Sequence, residues 1–236
     1  MHIQLFNIVF DFQGVFSMAK SNVSASVIRR LPRYYRFLRE LADAGVERIS
    51  SGDLARRMGL TASQIRQDLN CFGGFGQQGY GYNVRSLHEE VGRILGLGKH
   101  RKAILIGAGN LGRAIAQHMD FTSRGFELVG IFDANPELFG REIAGVPVQN
   151  IQALYDFCSR SCPTVAILCI PKEAAMKLAR ELVGMGIKGF WNFSHYDLAL
   201  DYKGIVVENV HLGDSLSILC YHLGEMERNL EETQSE

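Results

Sequence analysis

The sequence predicts an α/β chain in two parts. A basic, mostly helical domain ends in a β-hairpin, a parallel sheet flanked by helices follows, and a long helix closes the chain. Three observations predict this. Between residues 24 and 69, apolar side chains recur at three- and four-residue steps in short runs broken by glycine, which is helical spacing. Beyond residue 102, apolar runs of strand length alternate with helix-like stretches, the pattern of a parallel sheet. Charge divides the chain at the same place: residues 18–101 hold 14 Lys/Arg against 7 Asp/Glu, net +7, and residues 102–236 hold 11 against 17, net −6. A basic half beside an acidic half implies that the first faces a polyanion and the second has another task.

Composition is that of a folded soluble chain, 47% hydrophobic and 21% charged, so a disordered or membrane class is not expected. No run reaches the ~18 apolar residues of a membrane span, which predicts a cytoplasmic protein with no membrane partner. Residues 1–17 carry Phe6, Ile8, Val9, Phe10 and Phe12 but no lysine or arginine, and Asn7, Asp11 and Gln13 interrupt them, so they fit a secretory signal poorly. Met18-Ala19-Lys20 reads as a natural start. Residues 1–17 are therefore expected to be a disordered arm or misassigned start, the alternative being an extra strand packed on the body. The five cysteines form no CxxC and no Cys/His ligand pattern, so no metal is expected and reduced thiols are. Cys158 and Cys162 are the one pair near enough in sequence for a thiol switch.

In the basic half, Leu31, Tyr34, Tyr35, Leu38, Leu41 and Ala42 predict a first helix from Ser24 to Ala44, restarted at Pro32 and ended by Gly45. A second helix is expected after Ser51 as N-cap, stopping at Gly59, and a third from Ala62 to Leu69 under a Thr61 cap. Ile65 and Leu69 of this third helix point inward, and Ser63, Gln64, Arg66 and Gln67 outward. Two short helices split by a three- to four-residue turn have helix-turn-helix spacing, whose second helix enters the major groove of DNA. There Arg66 reaches guanine O6/N7, and Gln64 or Gln67 reaches adenine N6/N7. The Gly/aromatic run from Phe72 to Tyr82, with Gln77, Gln78, Gly79 and Tyr80 at its tip, suits a tight hairpin and makes this a winged helix. Leu87 to Leu97 reads as a linking helix, with the domain border at 98/99.

In the second half the apolar run Ala103–Ile106 leads into Gly107-Ala108-Gly109-Asn110-Leu111-Gly112. A helix-like stretch to Met119 and a second apolar run ending at Asp133 come next. This is the strand–turn–helix–strand context in which GxGxxG binds a dinucleotide. Gly107 permits the turn, Gly109 lets backbone approach a pyrophosphate, and Gly112 allows helix–strand packing. The helix N-terminus takes the diphosphate, and Asp133 accepts the ribose hydroxyls, favouring NAD(H) over NADP(H). Further strands are expected at Thr164–Cys169, Lys188–Phe193 and Gly204–Glu208, and a helix at Glu173–Gly184. Ile170 and Pro171, at a strand's carboxyl end, offer an apolar wall for a nicotinamide. The fold of residues 99–211 is thus a Rossmann-like parallel sheet. No catalytic domain accompanies it: Lys172 and His195 are the only nearby acid–base candidates, so no catalytic residue is assigned.

The tail spaces Leu212, Leu216, Leu219, Leu223, Met226 and Leu230 by fours and threes, a heptad-like stripe. Residues 212–230 are read as a dimer helix, the alternative being a helix folded back on its own domain, and 231–236 as disordered.

Taken together, Arg30-Leu31-Pro32-Arg33-Tyr34, Ser63 through Leu69, Phe72 through Tyr82, Gly107–Gly112 with Phe132-Asp133, Gly189 through Phe193 and Glu208-Asn209-Val210 resemble the Rex family of redox-sensing transcriptional repressors. The resemblance spans roughly Ser24 to Leu230. It implies a homodimer that exchanges its C-terminal helix and binds palindromic operator DNA in the apo or NAD⁺ state, repressing genes of fermentation or respiration. NADH closes the dinucleotide domains and releases the DNA. Arg30 and Ser51 are further candidate DNA contacts, and the resemblance makes Arg30 an ionic partner near a tyrosine–aspartate contact that couples the nicotinamide state to the DNA domains. Four departures from the family pattern stand out: Gln67 replaces a lysine, Gln77 and Gln78 replace basic wing residues, His118 replaces a tyrosine facing the cofactor, and His211 replaces an aspartate near the exchanged helix. The competing readings are a nucleotide- or CoA-binding regulator and an NAD-dependent enzyme with an accessory basic domain.

Overall fold

The computed structural model describes residues 23–73, 75 and 80–234. The expectations for residues 1–17 and for Gln77, Gln78 and Gly79 lie outside the described residues. The backbone divides into two compact units between Gly96 and Leu97.

The first unit opens with α1 (Ala25–Asp43), capped by the Ser24 hydroxyl on the Val27 N–H. Pro32 lies inside this helix and does not restart it. The carbonyl its missing N–H leaves without a helical partner belongs to Ile28, an exposed residue. β1 (Arg48–Ile49) and α2 (Ser51–Met58) follow. The N-cap of α2 is Ser50, whose hydroxyl accepts from the Asp53 N–H at 3.0 Å; Ser51 is the first helical residue, correcting the cap by one position. Gly59 ends α2 in the left-handed region at φ 61°. α3 (Ala62–Asn70) starts under Thr61, whose Oγ1 accepts from the Gln64 N–H at 3.1 Å.

β2 (Tyr82–Asn83) pairs antiparallel with β1. α4 (Val84–Leu95) begins three residues earlier than the apolar pattern indicated, because the Asn83 side chain caps it, and Gly96 stops it at φ 72°. One core joins these elements: Leu31, Tyr34, Leu38 and Leu41 of α1 pack with Leu54 and Met58 of α2, Ile65 and Leu69 of α3, and Val84, Leu87 and Val91 of α4. Each such burial contributes about 2 kcal/mol, so the three- and four-residue spacing decides which faces meet.

The second unit is a seven-stranded sheet. β3 (Arg101–Ile106) leads through the glycine turn into α5 (Asn110–His118) and β4 (Phe126–Asp133). β5 (Glu142–Ile143), β6 (Val146–Asn150) and α6 (Leu154–Ser161) come next and were not foreseen. β7 (Val165–Leu168), α7 (Lys172–Gly184), β8 (Gly189–Asn192), α8 (Leu198–Asp201) and β9 (Val206–Asn209) complete it. The order is β5-β6-β4-β3-β7-β8-β9, parallel except for β5. Neighbouring residues of β3 feed opposite faces: Ile104 and Ile106 pack with Phe132, Ala166 and Leu168, Ala103 and Leu105 with Ile131 and Ile167. A sheet buried on both faces explains why its strands read as continuous apolar runs.

α9 (Leu212–Gln234) closes the chain. Residues 231–234, expected to be disordered, continue this helix. Among the described residues no helix is long and apolar enough to cross a membrane.

Candidate functional site

The glycine turn lies where the strand order reverses, with β4 on one side of β3 and β7 on the other. Open parallel sheets bind ligands at such switch points, outside the carboxyl ends of the strands. Gly107 has φ 97°, and a Cβ there would stand 2.4 Å from the Cys169 carbonyl and 2.8 Å from Ile170 Cγ2. The turn is therefore held against Ile170, which is half-buried, with Pro171 exposed at the start of α7. A Cβ on Gly112 would fall 1.9 Å from the Gly107 carbonyl, so α5 can sit on β3 only with glycine there.

Gly109 differs. Its φ is −67°, and a Cβ would meet nothing within 4 Å. Its freedom from contact leaves open space at the N-terminus of α5, which has no side-chain cap. The first N–H groups of a helix lack intrahelical acceptors, so Asn110, Leu111 and Gly112 face this space as an anion cradle. Asp133 closes the other side. Its Oδ2 accepts the Ala108 N–H at 2.6 Å and its Oδ1 the Asn135 N–H at 2.8 Å. Each oxygen keeps a lone pair, so the carboxylate that braces the glycine turn can still accept from a diol. The donor set fits a dinucleotide: N–H groups for a diphosphate, a carboxylate for a diol and Ile170 for an apolar ring. His118 is exposed on the last residue of α5.

Thiol chemistry finds no support nearby. All five cysteines are free, and burial pushes the Cys169 thiol up to about 12. Cys158 is buried and also raised, by burial first and by Cys162 second, while Cys162 is exposed. Among the described residues no cluster of His, Cys, Asp and Glu could hold a metal.

On α3, Ser63, Arg66 and Gln67 are exposed. Arg66 donates to Ser51 Oγ at 3.1 Å, tying α3 to the first turn of α2. Tyr80 is 70% exposed, with the Arg48 guanidinium 6.0 Å from its ring and Arg48 Nη1 donating to its carbonyl. Arg30 and Gln64 are turned inward instead. Arg30 donates Nε to Asp68 Oδ2 at 2.6 Å and Nη2 to Oδ1 at 2.8 Å; the Tyr34 hydroxyl and Gln64 Nε2 donate at 2.9 and 2.8 Å. Asp68 is fully buried. Burial pushes its carboxyl up, but the bonds from Arg30, Gln64 and Tyr34 outweigh that and hold it below the usual range. Burial and the bond to Asp68 push the Tyr34 hydroxyl up. Sequence reading missed Asp68, although it falls on the same face as Ile65 and Leu69, where a carboxylate demands partners.

A helical unit with an outward polar face on α3, followed by a dinucleotide-type fold, has the parts of a nucleotide-responsive DNA-binding regulator. Comparison with known proteins agrees. The family described as "Putative DNA-binding protein N-terminus" matches residues 22–70, and the CoA binding domain family matches residues 98–196. The redox-sensing transcriptional repressor Rex of Thermoanaerobacter pseudethanolicus is 55% identical over 208 residues, 88% of this chain and 92% of that protein. The Rex repressor of Clostridioides difficile is 50% identical over 208 residues, 88% and 99% of the two chains. Among solved structures, RSP in complex with β-NAD⁺ and operator DNA matches with TM-score 0.81 and 52% identity, covering 91% of this chain and 98% of that one. RSP with β-NADH matches with TM-score 0.81 and 50% identity, covering 89% and 98%. The chain belongs to the Rex family of redox-sensing transcriptional repressors, and is a regulator and not an enzyme.

Proposed function

We propose that this repressor, in the cytoplasm, binds a palindromic operator duplex as a homodimer and reads the NADH/NAD⁺ ratio, NADH releasing it and derepressing genes of fermentation or respiration. In this reading residues 18–98 contact DNA, 99–211 bind NAD(H), and 212–230 join two copies. Gly107–Gly112, Asp133, Ile170, Pro171 and His118 face the cofactor. Ser51, Ser63, Arg66, Gln67 and Tyr80 face the DNA, with Arg30 and Gln64 supporting α3 from behind. The carrying observation is the open space at Gly109 over an uncapped helix N-terminus, braced by Asp133.

For NADH to release DNA, it must bind the DNA-incompetent state more tightly than the competent one, and DNA must weaken NADH by the same factor. The test is a fluorescence-anisotropy titration of a palindromic operator with NAD⁺ or NADH present. A tenfold loss of DNA affinity with NADH requires about 1.4 kcal/mol of differential binding. Unchanged DNA affinity in NADH removes the sensor reading. The same titration with CoA separates a CoA-responsive regulator from an NADH-responsive one.

A further inference from the structure

His195 and His211 meet at the root of α9. The two residues follow adjacent parallel strands, β8 and β9, whose last residues Asn192 and Asn209 are register partners. Their Nδ1 atoms are 3.0 Å apart, and the rings lie 4.9 Å between centroids at 14°. His195 holds φ 58°, a strained conformation that points its ring at His211. The turn is braced around them: Asn192 Nδ2 donates to the Tyr196 carbonyl at 2.6 Å and to Asn209 Oδ1 at 2.8 Å, and Asn209 Nδ2 to Asp197 Oδ1 at 3.3 Å. The His211 carbonyl accepts the Asp214 N–H at 3.1 Å, in the first turn of α9.

We propose that the His195–His211 pair is a latch that counts protons, seating α9 while the two rings share one Nδ1–H and unseating it when each carries its own. An Nδ1···Nδ1 bond needs one protonated nitrogen and one bare one. The neutral pair meets this with complementary tautomers, and a first proton from solvent keeps it, now charge-assisted. A second proton puts N–H against N–H and breaks the bond. The charged groups on the segments that carry the pair are acidic: Asp197 in the same loop, Glu208 on β9, Asp214 on α9, and Asp201 on α8, which accepts from the Tyr196 hydroxyl at 2.5 Å. Lys188 and Lys203 precede β8 and β9 at the strands' other ends, and exposed Lys172 opens α7. Among the described residues neither ring forms an ion pair with a carboxylate, so each ring has the other as its partner. The functional consequence rests on the reading of α9 as the helix that joins two copies.

The experiment uses the full chain in EDTA, so that a metal bridging the rings cannot replace the proton. Histidine Nδ1 shifts are followed by NMR, and dimerisation by sedimentation, from about pH 8 to about pH 5. His195→Asn keeps a residue tolerant of positive φ and able to hydrogen-bond, but removes one titrating ring. In the wild type the pair takes up protons in two separated steps, and dimer affinity falls about tenfold across the second; in H195N His211 titrates in one step and the fall is lost. Independent single-step titration of both rings overturns the latch, as does an unaltered pH dependence in H195N. A chain monomeric at every pH refutes the reading of α9, and the NMR steps then decide the latch alone.

Discussion

Replacing Arg30 by methionine tests what holds the DNA-facing helix. Asp68 is fully buried, and among the described residues Arg30 is its one charged partner, through two bonds of 2.6 and 2.8 Å. Removing one member of a buried pair costs about 3–5 kcal/mol, because the other charge stays buried. The Arg30 side chain is 26% exposed, which places the loss at the low end, about 3 kcal/mol. Tyr34 and Gln64 remain as neutral donors and do not compensate the charge. Native-state hydrogen exchange of amides 62–70 reads the effect, with protection falling about a hundredfold. The single tryptophan, Trp191, lies in β8 of the second unit, so its fluorescence serves as an internal control and stays unchanged.

The pH dependence supplies an independent check of sign. In the wild type the folded Asp68 pKa is below its ordinary value, so its contribution is present above the unfolded pKa of about 3.9 and lost as pH falls through the folded value. In R30M only the neutral donors Tyr34 and Gln64 oppose burial, so the carboxyl pKa rises from its wild-type value, and the deficit against wild type is largest near neutrality and shrinks on acidification. A second substitution, Asp68→Leu, removes the stranded charge and restores most of the protection. If R30M lowers protection less than fivefold, or if its deficit grows in acid, the pair does not hold α3 and the argument is refuted.

Three further outcomes follow from the same geometry. Gly109→Ala leaves thermal stability unchanged, since its Cβ meets nothing, but weakens NADH binding at least tenfold by calorimetry; Gly112→Ala destabilises the second unit outright, its Cβ clashing with the Gly107 carbonyl. His88, stacked on Tyr35 at 4.2 Å with its Nε2 buried and unpartnered, is held below its ordinary pKa by burial and then by Arg39, against Glu89 and Asp43. The unfolded chain therefore takes the proton first, so stability falls as pH drops below about 6.5 and levels off under the folded pKa; His88→Phe flattens that slope in thermal melts. Leu219→Asp with Leu223→Asp yields a monomer by sedimentation, because both leucines stand about half exposed on α9 and the stripe needs a partner.

What the sequence disclosed was the chemistry that repeats or is local. The glycine spacing, the Thr61 cap and the Gly59 stop are each set by residues a few positions apart, so reading along the chain recovers them. The segment from Arg141 to Ser161 was passed over because β5 has two residues and β6 carries a proline, too little pattern for a period to show. The larger omission was pairing over distance. Arg30 stood as a candidate DNA contact, yet its partner sits 38 residues away and draws it inward. His195 looked like an ordinary loop histidine because nothing local announces that β9 returns His211 beside it.

These two pairs change where the signal of this repressor is built. Arg30–Asp68 spends a basic residue on holding α3, which leaves Arg66, anchored on Ser51, as the one cation carried by that helix. The exposed side chains Ser63, Gln67 and Asn70, at i, i+4 and i+7, then form an uncharged stripe beside it. Amides on such a stripe match adenine N6/N7, so if α3 enters the major groove as proposed, base preference there rests on hydrogen bonding and attraction to phosphate on the arginines around it. Salt should therefore weaken overall affinity without erasing base preference, since counterion release acts on the phosphate contacts.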